Sequence, residues 1–183
     1  TFSDDNSYLR SFYEFSTFFF GGDQHTIPTF SIAGGQVQTL LEGTQIEPLT
    51  TLEMFDENGV RISKNVGDTN KHGNDSWAYQ QRGIDWVDRD KMGYSGATEL
   101  QLFRIKERTS YKRYMFKAAA NDNYDYAPGA PAHIRDAYVM SLSQVGGLEL
   151  DERTVEFCVL YCNGQYWGVY DYREKVDDWH FTL

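Results

Sequence analysis

Lys117 closes the aromatic run Tyr114-Met115-Phe116-Lys117 and is followed by three alanines. Small side chains leave room beside an ammonium group, and a lysine so placed at a strand end can reach a phosphate from a sheet. A solvated strand end gives the same pattern. Just downstream lie Asp122, Asp125 and Asp136, with Arg135 among them. Carboxylates beside an arginine can hold Mg²⁺ and a phosphate together. Acids in the first turn of a helix, favoured there by the helix dipole, produce the same spacing. Glu174 sits between Arg173 and Lys175 at the end of another aromatic run. An acid held beside a lysine orients it toward phosphate, and a surface charge run reads identically.

Other patterns carry less chemistry. The stretch Asp68-Thr69-Asn70-Lys71-His72-Gly73-Asn74-Asp75 alternates oxygen ligands before a glycine, as a calcium loop does. Its fifth position is His72 and its twelfth is Tyr79 where a bidentate Glu is needed, so a turn-rich polar loop is expected over 66–73. Asn74-Asp75-Ser76 is a glycosylation sequon, a match common by chance. No Walker loop, Gly-x-Gly-x-x-Gly, Gly-x-Ser-x-Gly or His-Glu-x-x-His occurs, and the four histidines have no metal-pair spacing. Cys158 and Cys162 are four apart in an apolar run. On a strand their Cα atoms are roughly 13 Å apart at about 3.3 Å per residue, beyond disulfide reach, and two buried free thiols are expected.

These residues need elements to hold them. Strands are expected at 27–32, 79–88 and 111–117, and a short helix at 36–42 that Gly43 ends. Asn58-Gly59 and Asn163-Gly164 mark hairpins, the second pairing 155–161 with 165–172. Ile134, Ala137, Tyr138, Met140, Leu142 and Val145 form an apolar stripe on a helix that Gly146-Gly147 stops. Tyr8, Phe12, Phe15 and Phe19 fit one helical face of an N-terminal segment docked on the core, and 174–183 reads as a helix start. Strands and helices alternate without a βαβ repeat. The expected class is α+β, a mixed or antiparallel sheet with hairpins and a packed central helix. Residues 1–26 are an aromatic-rich N-terminal segment, and 27–183 form the domain.

Composition narrows the functions. The 183 residues carry 16% aromatic side chains, 13 of them Tyr, which argues against disorder. The net charge of −10 and the absence of a basic run disfavour nucleic acid and anionic membranes as partners. No apolar run is long enough to insert into a membrane. The chain starts Thr1-Phe2-Ser3 and ends Trp179-His180-Phe181-Thr182-Leu183, which reads as a piece of a larger polypeptide.

Several blocks together resemble the CotH kinase family of spore-coat proteins. The most specific is Leu160-Tyr161-Cys162-Asn163-Gly164-Gln165-Tyr166-Trp167-Gly168-Val169-Tyr170-Asp171-Tyr172-Arg173-Glu174, similar to that family's Asn-Gly hairpin followed by aromatic, Gly, aromatic and acid. His133-Ile134-Arg135-Asp136-Ala137 resembles its Arg-Asn/Asp helix, preceded here by the loop Ala120-Asn121-Asp122-Asn123-Tyr124-Asp125. His72-Gly73-Asn74-Asp75-Ser76-Trp77 resembles its Arg-Gly-Asn-Ser-Thr-Trp block, with Gln81-Arg82 standing where the family has paired lysines. The resemblance spans about 27–180.

It implies an atypical kinase-like fold, apparently truncated, in a secreted or cell-surface protein that transfers phosphate from ATP with Mg²⁺ or Mn²⁺ to Ser or Thr of a protein substrate. The nucleotide contacts it implies are Arg82, Lys117, Tyr124, Arg135 and Glu174, with Asp122 and Asp136 as metal candidates. The family's catalytic aspartates are expected beyond Leu183, so this chain is expected to form the nucleotide side without turnover. The remainder of the polypeptide, or an assembly, would complete it. The alternative is a non-catalytic binding or structural module, such as an adhesin or filament component, on the same fold. Arg135 is expected to be buried or half-buried against Asp122 or Glu174, because a charge facing a sheet is costly unless paired.

Overall fold

Two turns set the meander. Asn163 and Gly164 take φ of 50° and 77°, the two positive values that a tight hairpin needs. They join β8 (Val155–Cys162) to β9 (Gln165–Glu174), paired from Val155↔Arg173 to Cys162↔Gln165. At the other turn only Gly59 is left-handed, at 74°. There the Asp56 carboxylate accepts the N–H groups of Asn58 and Val60 at 2.9 and 2.8 Å, fixing the reversal that the Asn-Gly pair predicts. The protein is described from a computed structural model, which covers residues 13–21, 25–124, 131–148, 150 and 152–175.

In chain order the elements are β1 (Thr29–Ala33), α1 (Val37–Leu41), β2 (Leu49–Phe55), β3 (Arg61–His72), β4 (Gly83–Asp88), β5 (Thr98–Glu99), β6 (Ser110–Tyr111), β7 (Arg113–Lys117), α2 (Arg135–Val145), β8 and β9. Seven strands close into a barrel in the order β1-β2-β3-β4-β7-β9-β8, and β5 and β6 form a separate two-stranded ribbon. Every barrel pairing is antiparallel except β1 with β8, which run parallel from Thr29↔Val159 to Ile32↔Cys162 and close the ring.

This corrects the α+β expectation. The chain is mostly β, α1 and α2 are the α-helices among the described residues, and neither is a packed central helix. On α2 only Ala137 is buried; Tyr138, Val139, Leu142 and Val145 are exposed. The reason is closure: a ring of strands buries its apolar side chains inside itself and needs no helix to cover them. The polar loop expected over 66–73 is also wrong. β3 continues through His72, paired with β2 on one side and β4 on the other. Its polar residues stand on both faces of a continuous strand: Asp68, Asn70 and His72 face outward, while Thr69 is fully buried opposite Trp86. The strand expected at 79–88 begins at Gly83. Residues 13–20 form no helix; they run along the barrel, where Thr17 N donates to Glu53 at 2.6 Å and Phe19 packs edge-on against Phe55. The remainder of that expected helical face, the helix start after Lys175 and Asp125 lie outside the described residues.

Strand alternation fills the interior. Phe30, Ile32, Ile84, Trp86, Tyr114, Phe116, Cys158, Leu160, Tyr170 and Tyr172 point inward and are fully buried. Phe30 meets Phe116 and Tyr172 with ring centres 5.0 and 5.1 Å apart. The tyrosine hydroxyls reach acceptors at the barrel ends: Tyr170 donates to the Arg82 carbonyl and Tyr172 to the Leu102 carbonyl, both at 2.9 Å. Gly67 is required by the packing, because a Cβ there would lie 2.6 Å from the Trp86 ring. Cys158 and Cys162 are buried free thiols, as the spacing requires.

One polar cluster is sealed in this interior. Asp88 is fully buried and accepts Thr98 Oγ1 at 2.8 Å; Thr98 in turn accepts Asn65 at 2.7 Å and meets Tyr114 at 3.0 Å. Burial raises the Asp88 pKa to about 7. The folded chain therefore keeps a proton that the unfolded chain loses above about pH 4, so this group's contribution falls as pH rises toward 7 and stays low above it. Asp88→Asn is neutral at every pH. Thermal melts from pH 5 to 8 should show the variant gaining on the wild type as pH rises, by about 3–5 kcal/mol at pH 8. The seam between β1 and β8 makes a second prediction. Asn163 accepts Gly34 N at 2.9 Å and donates to Gly34 O at 3.1 Å. Asn163→Ala removes both bonds from a left-handed position and should lower stability in urea unfolding by about 2–3 kcal/mol.

Candidate functional site

The outer wall of β4, β7 and β9 carries charges because the inner wall takes the aromatic residues. Directly opposed residues project to one face, so Asp85↔Met115, Met115↔Arg173 and Lys117↔Asp171 share the outside. Asp171 and Arg173 are each 1% exposed and form a two-point ion pair, Nε to Oδ1 at 2.7 Å and Nη2 to Oδ2 at 2.6 Å. Arg173 Nη1 also donates to Asp136 on α2 at 2.8 Å, and the same Asp136 oxygen accepts Lys117 Nζ. Burial opposes charge on Asp136, but Lys117 and Arg173 outweigh it and draw its pKa down to about 2. The result is a continuous chain of alternating charge, Asp171–Arg173–Asp136–Lys117, linking strand to helix. Further along the wall, Asp85 accepts His72 Nδ1 at 2.9 Å and Lys175 Nζ.

A cavity of about 210 Å³ opens beside this chain, lined by His72, Gly73, Ser76, Gln81, Gly83, Lys117, Ala118 and Ala120. The lining contains a lysine and no carboxylate, which suits an anionic group. The small residues after Lys117 form part of it, as their size predicts.

The other expected site residues fall elsewhere. Arg82 has its guanidinium 5.2 Å over the Trp77 ring and donates to the Leu41 and Tyr79 carbonyls, so it ties loops together. Arg135 pairs with Asp122 at 3.3 Å, as expected, but its side chain is 59% exposed, which corrects the expected burial. The buried arginine is Arg173; Arg135 begins α2 and points outward. Asp122 caps the segment before α2, accepting Ala132 N at 2.8 Å and Arg135 N at 3.0 Å. Burial acts against its charge, and those two N–H groups reverse the effect and hold its carboxyl below the ordinary range. Glu174 is buried and pairs with Lys106 at 2.6 Å instead of with a neighbouring lysine. Tyr124 stacks on His133, ring centres 5.0 Å apart, and opens onto a different cleft across Gln81. Asp68 and Asn70 bond Arg89 and Glu47, and with His72 on Asp85 the three ligand-like residues do not converge. Among the described residues no group of three or more His, Cys, Asp or Glu is placed to hold a metal ion.

Arg173 and Asp171 are the members that residue-by-residue reading of the sequence passes over. Their signal is present in Tyr170-Asp171-Tyr172-Arg173, where charges alternate with aromatic residues that the barrel buries.

Lys117 at the end of β7 is thus held by Asp136 on α2, against the outside of a closed β-barrel. The family model described as CotH kinase protein matches residues 69–182, and the chain belongs to that family. The match begins within β3, later than the residue 27 at which the resemblance in the sequence starts. No curated protein matches the chain.

Removing Arg173 leaves Asp171 buried without its partner. Arg173→Met should therefore cost about 3–5 kcal/mol in urea unfolding, whereas Arg135→Ala at the surface should cost less than about 1 kcal/mol.

Proposed function

We propose that this chain forms the phosphate-binding side of a CotH-like atypical Ser/Thr protein kinase domain in an exported or surface protein. The observation that carries the reading is the strand-to-helix pair of Lys117 and Asp136 at the mouth of an acid-free cavity. In protein kinases a lysine on a strand, paired with an acid on a helix, neutralises nucleotide phosphates. Lys117 takes that part here. Asp136 keeps the ammonium at the cavity mouth, and Arg173 fixes Asp136 from behind. ATP, when bound, supplies the phosphoryl group. The described residues do not by themselves fit Mg²⁺ or Mn²⁺, since Asp122 is engaged at the start of α2 and Asp136 holds two cations. Metal and base belong, in this reading, to residues other than these.

A second reading, a non-catalytic binding module on the same barrel, is favoured by the exposed apolar row of Tyr138, Val139, Leu142 and Val145 on α2. Such rows mark surfaces that meet other protein.

Calorimetric titration with ATP separates the two. The wild-type chain should bind, Lys117→Ala should weaken binding at least tenfold with an unchanged circular dichroism spectrum, and Arg135→Ala should change it less than twofold. With radiolabelled ATP and Mg²⁺ or Mn²⁺ the 183-residue chain should transfer no phosphate to itself or to a generic protein substrate. Turnover abolished by Asp122→Ala would show that the transfer groups lie within this chain.

A further inference from the structure

On the far side of Gln81 lies a larger cleft, about 550 Å³, at the β8–β9 turn. Its lining is Gln80, Gln81, Asn123, Tyr124, Gln165, Tyr166, Trp167, Gly168 and Val169, four amides and three aromatic rings without a single charge. In a chain of net charge −10 a lining free of ionisable acids and bases selects for a neutral ligand.

The floor is rigid. Gln81 Nε2 donates to the Val169 carbonyl at 2.9 Å and the Trp167 carbonyl at 3.3 Å, and its Oε1 accepts Asn123 Nδ2 at 2.9 Å. Gly168, with φ of 112°, lets Gln81 approach; a Cβ there would meet Gln81 Nε2 at 2.8 Å. With Gln81 and Asn123 so engaged, the amides of Gln80 and Gln165 are left to meet a ligand, each offering two donors and an acceptor.

The walls are braced from behind. Tyr124 lies parallel to His133, planes 10° apart, while the tyrosine is 68% exposed. Tyr166 is 58% exposed, stacked with His25 at 6.1 Å and held edge-on by Tyr161 at 5.6 Å. The aromatic surface then continues through Tyr161 to Phe19, 5.2 Å away. Exposed rings pinned on one face lose little freedom when the other face is covered. Their negative π faces attract the C–H edges of an apolar surface. A pyranose ring offers such a C–H face together with a rim of hydroxyls that amides can bond.

We propose that this cleft is a binding site for a neutral oligosaccharide, its rings stacked on the exposed faces of Tyr124 and Tyr166 and its hydroxyls bonded by Gln80 and Gln165. The site is separate from the Lys117 cavity and stands independently of the kinase reading.

Affinity electrophoresis in gels cast with hydroxyethyl cellulose, xylan, glucomannan or soluble starch tests it, followed by calorimetry with the matching hexasaccharide. At least one neutral glycan should retard the chain. Tyr166→Ala and Tyr124→Ala, both truncations of exposed rings, should each weaken binding at least tenfold with unchanged circular dichroism, and Lys117→Ala should leave it within twofold. Polygalacturonate, which is anionic, should not bind. The proposal is overturned if no neutral glycan binds, if the tyrosine variants bind as the wild type does, if ATP competes with the glycan, or if a polyproline peptide takes the cleft instead.

Discussion

Everything in this molecule depends on the parallel pairing of β1 with β8, which turns a seven-stranded sheet into a ring. Without it two strand edges would face water with unpaired backbone groups, and the aromatic inner face would need another layer to cover it. With it the inner face becomes the core, and the outer face is left to charge. The contact joins residues about 130 apart in sequence, so it is expensive in chain entropy. Polar anchoring reinforces it at both ends of the seam. Val159 N bonds the Pro28 carbonyl, Asn163 N bonds the Ile32 carbonyl, and the Asn163 side chain clasps Gly34 from both sides.

Closure also explains why α2 is held as it is. A helix outside a completed barrel has little apolar surface to bury against, and α2 buries only Ala137. Charge holds it instead. Asp136 anchors it to Lys117 and Arg173, and Asp122 receives the N–H of its first residue. The buried Asp171–Arg173 pair at the base of this chain loses solvation, so its worth lies in geometry more than in stability. It sets where Asp136 stands, and Asp136 sets where the Lys117 ammonium stands. The fold and the candidate site are thus linked through one strand, β9, whose alternate residues serve the core and the ion chain.

The same alternation divides the two clefts. Lys117 and the alanines after it shape an anionic-ligand cavity at one side of Gln81, and the β8–β9 turn with Tyr124 shapes an uncharged one at the other. A single fixed amide, bonded to two β9-side carbonyls and to Asn123, keeps them apart.

What the sequence alone determined is what a few neighbouring residues can dictate. Asn163-Gly164 specified its hairpin because both residues tolerate positive φ, and Gly147, left-handed at 63° just past the end of α2, ended the helix for a related reason. The aromatic alternation of 170–173 and the setting of Lys117 were equally local. Ring closure was not legible, because parallel pairing between distant strands leaves no mark in either strand. Nor was the course of β3 through Asp68 to His72, where polar residues occupy both faces of the strand and Thr69 is buried opposite Trp86, so that polarity said nothing of the backbone. The partner of each charge was likewise decided by tertiary structure. Lys117 meets Asp136 rather than Glu174 because β7 and β9 pair with Lys117 opposite Asp171. That register puts Glu174 on the opposite face of its strand, where it meets Lys106. Ion pairing follows the distances between side chains in the folded sheet, and those are fixed only once distant strands have found their register.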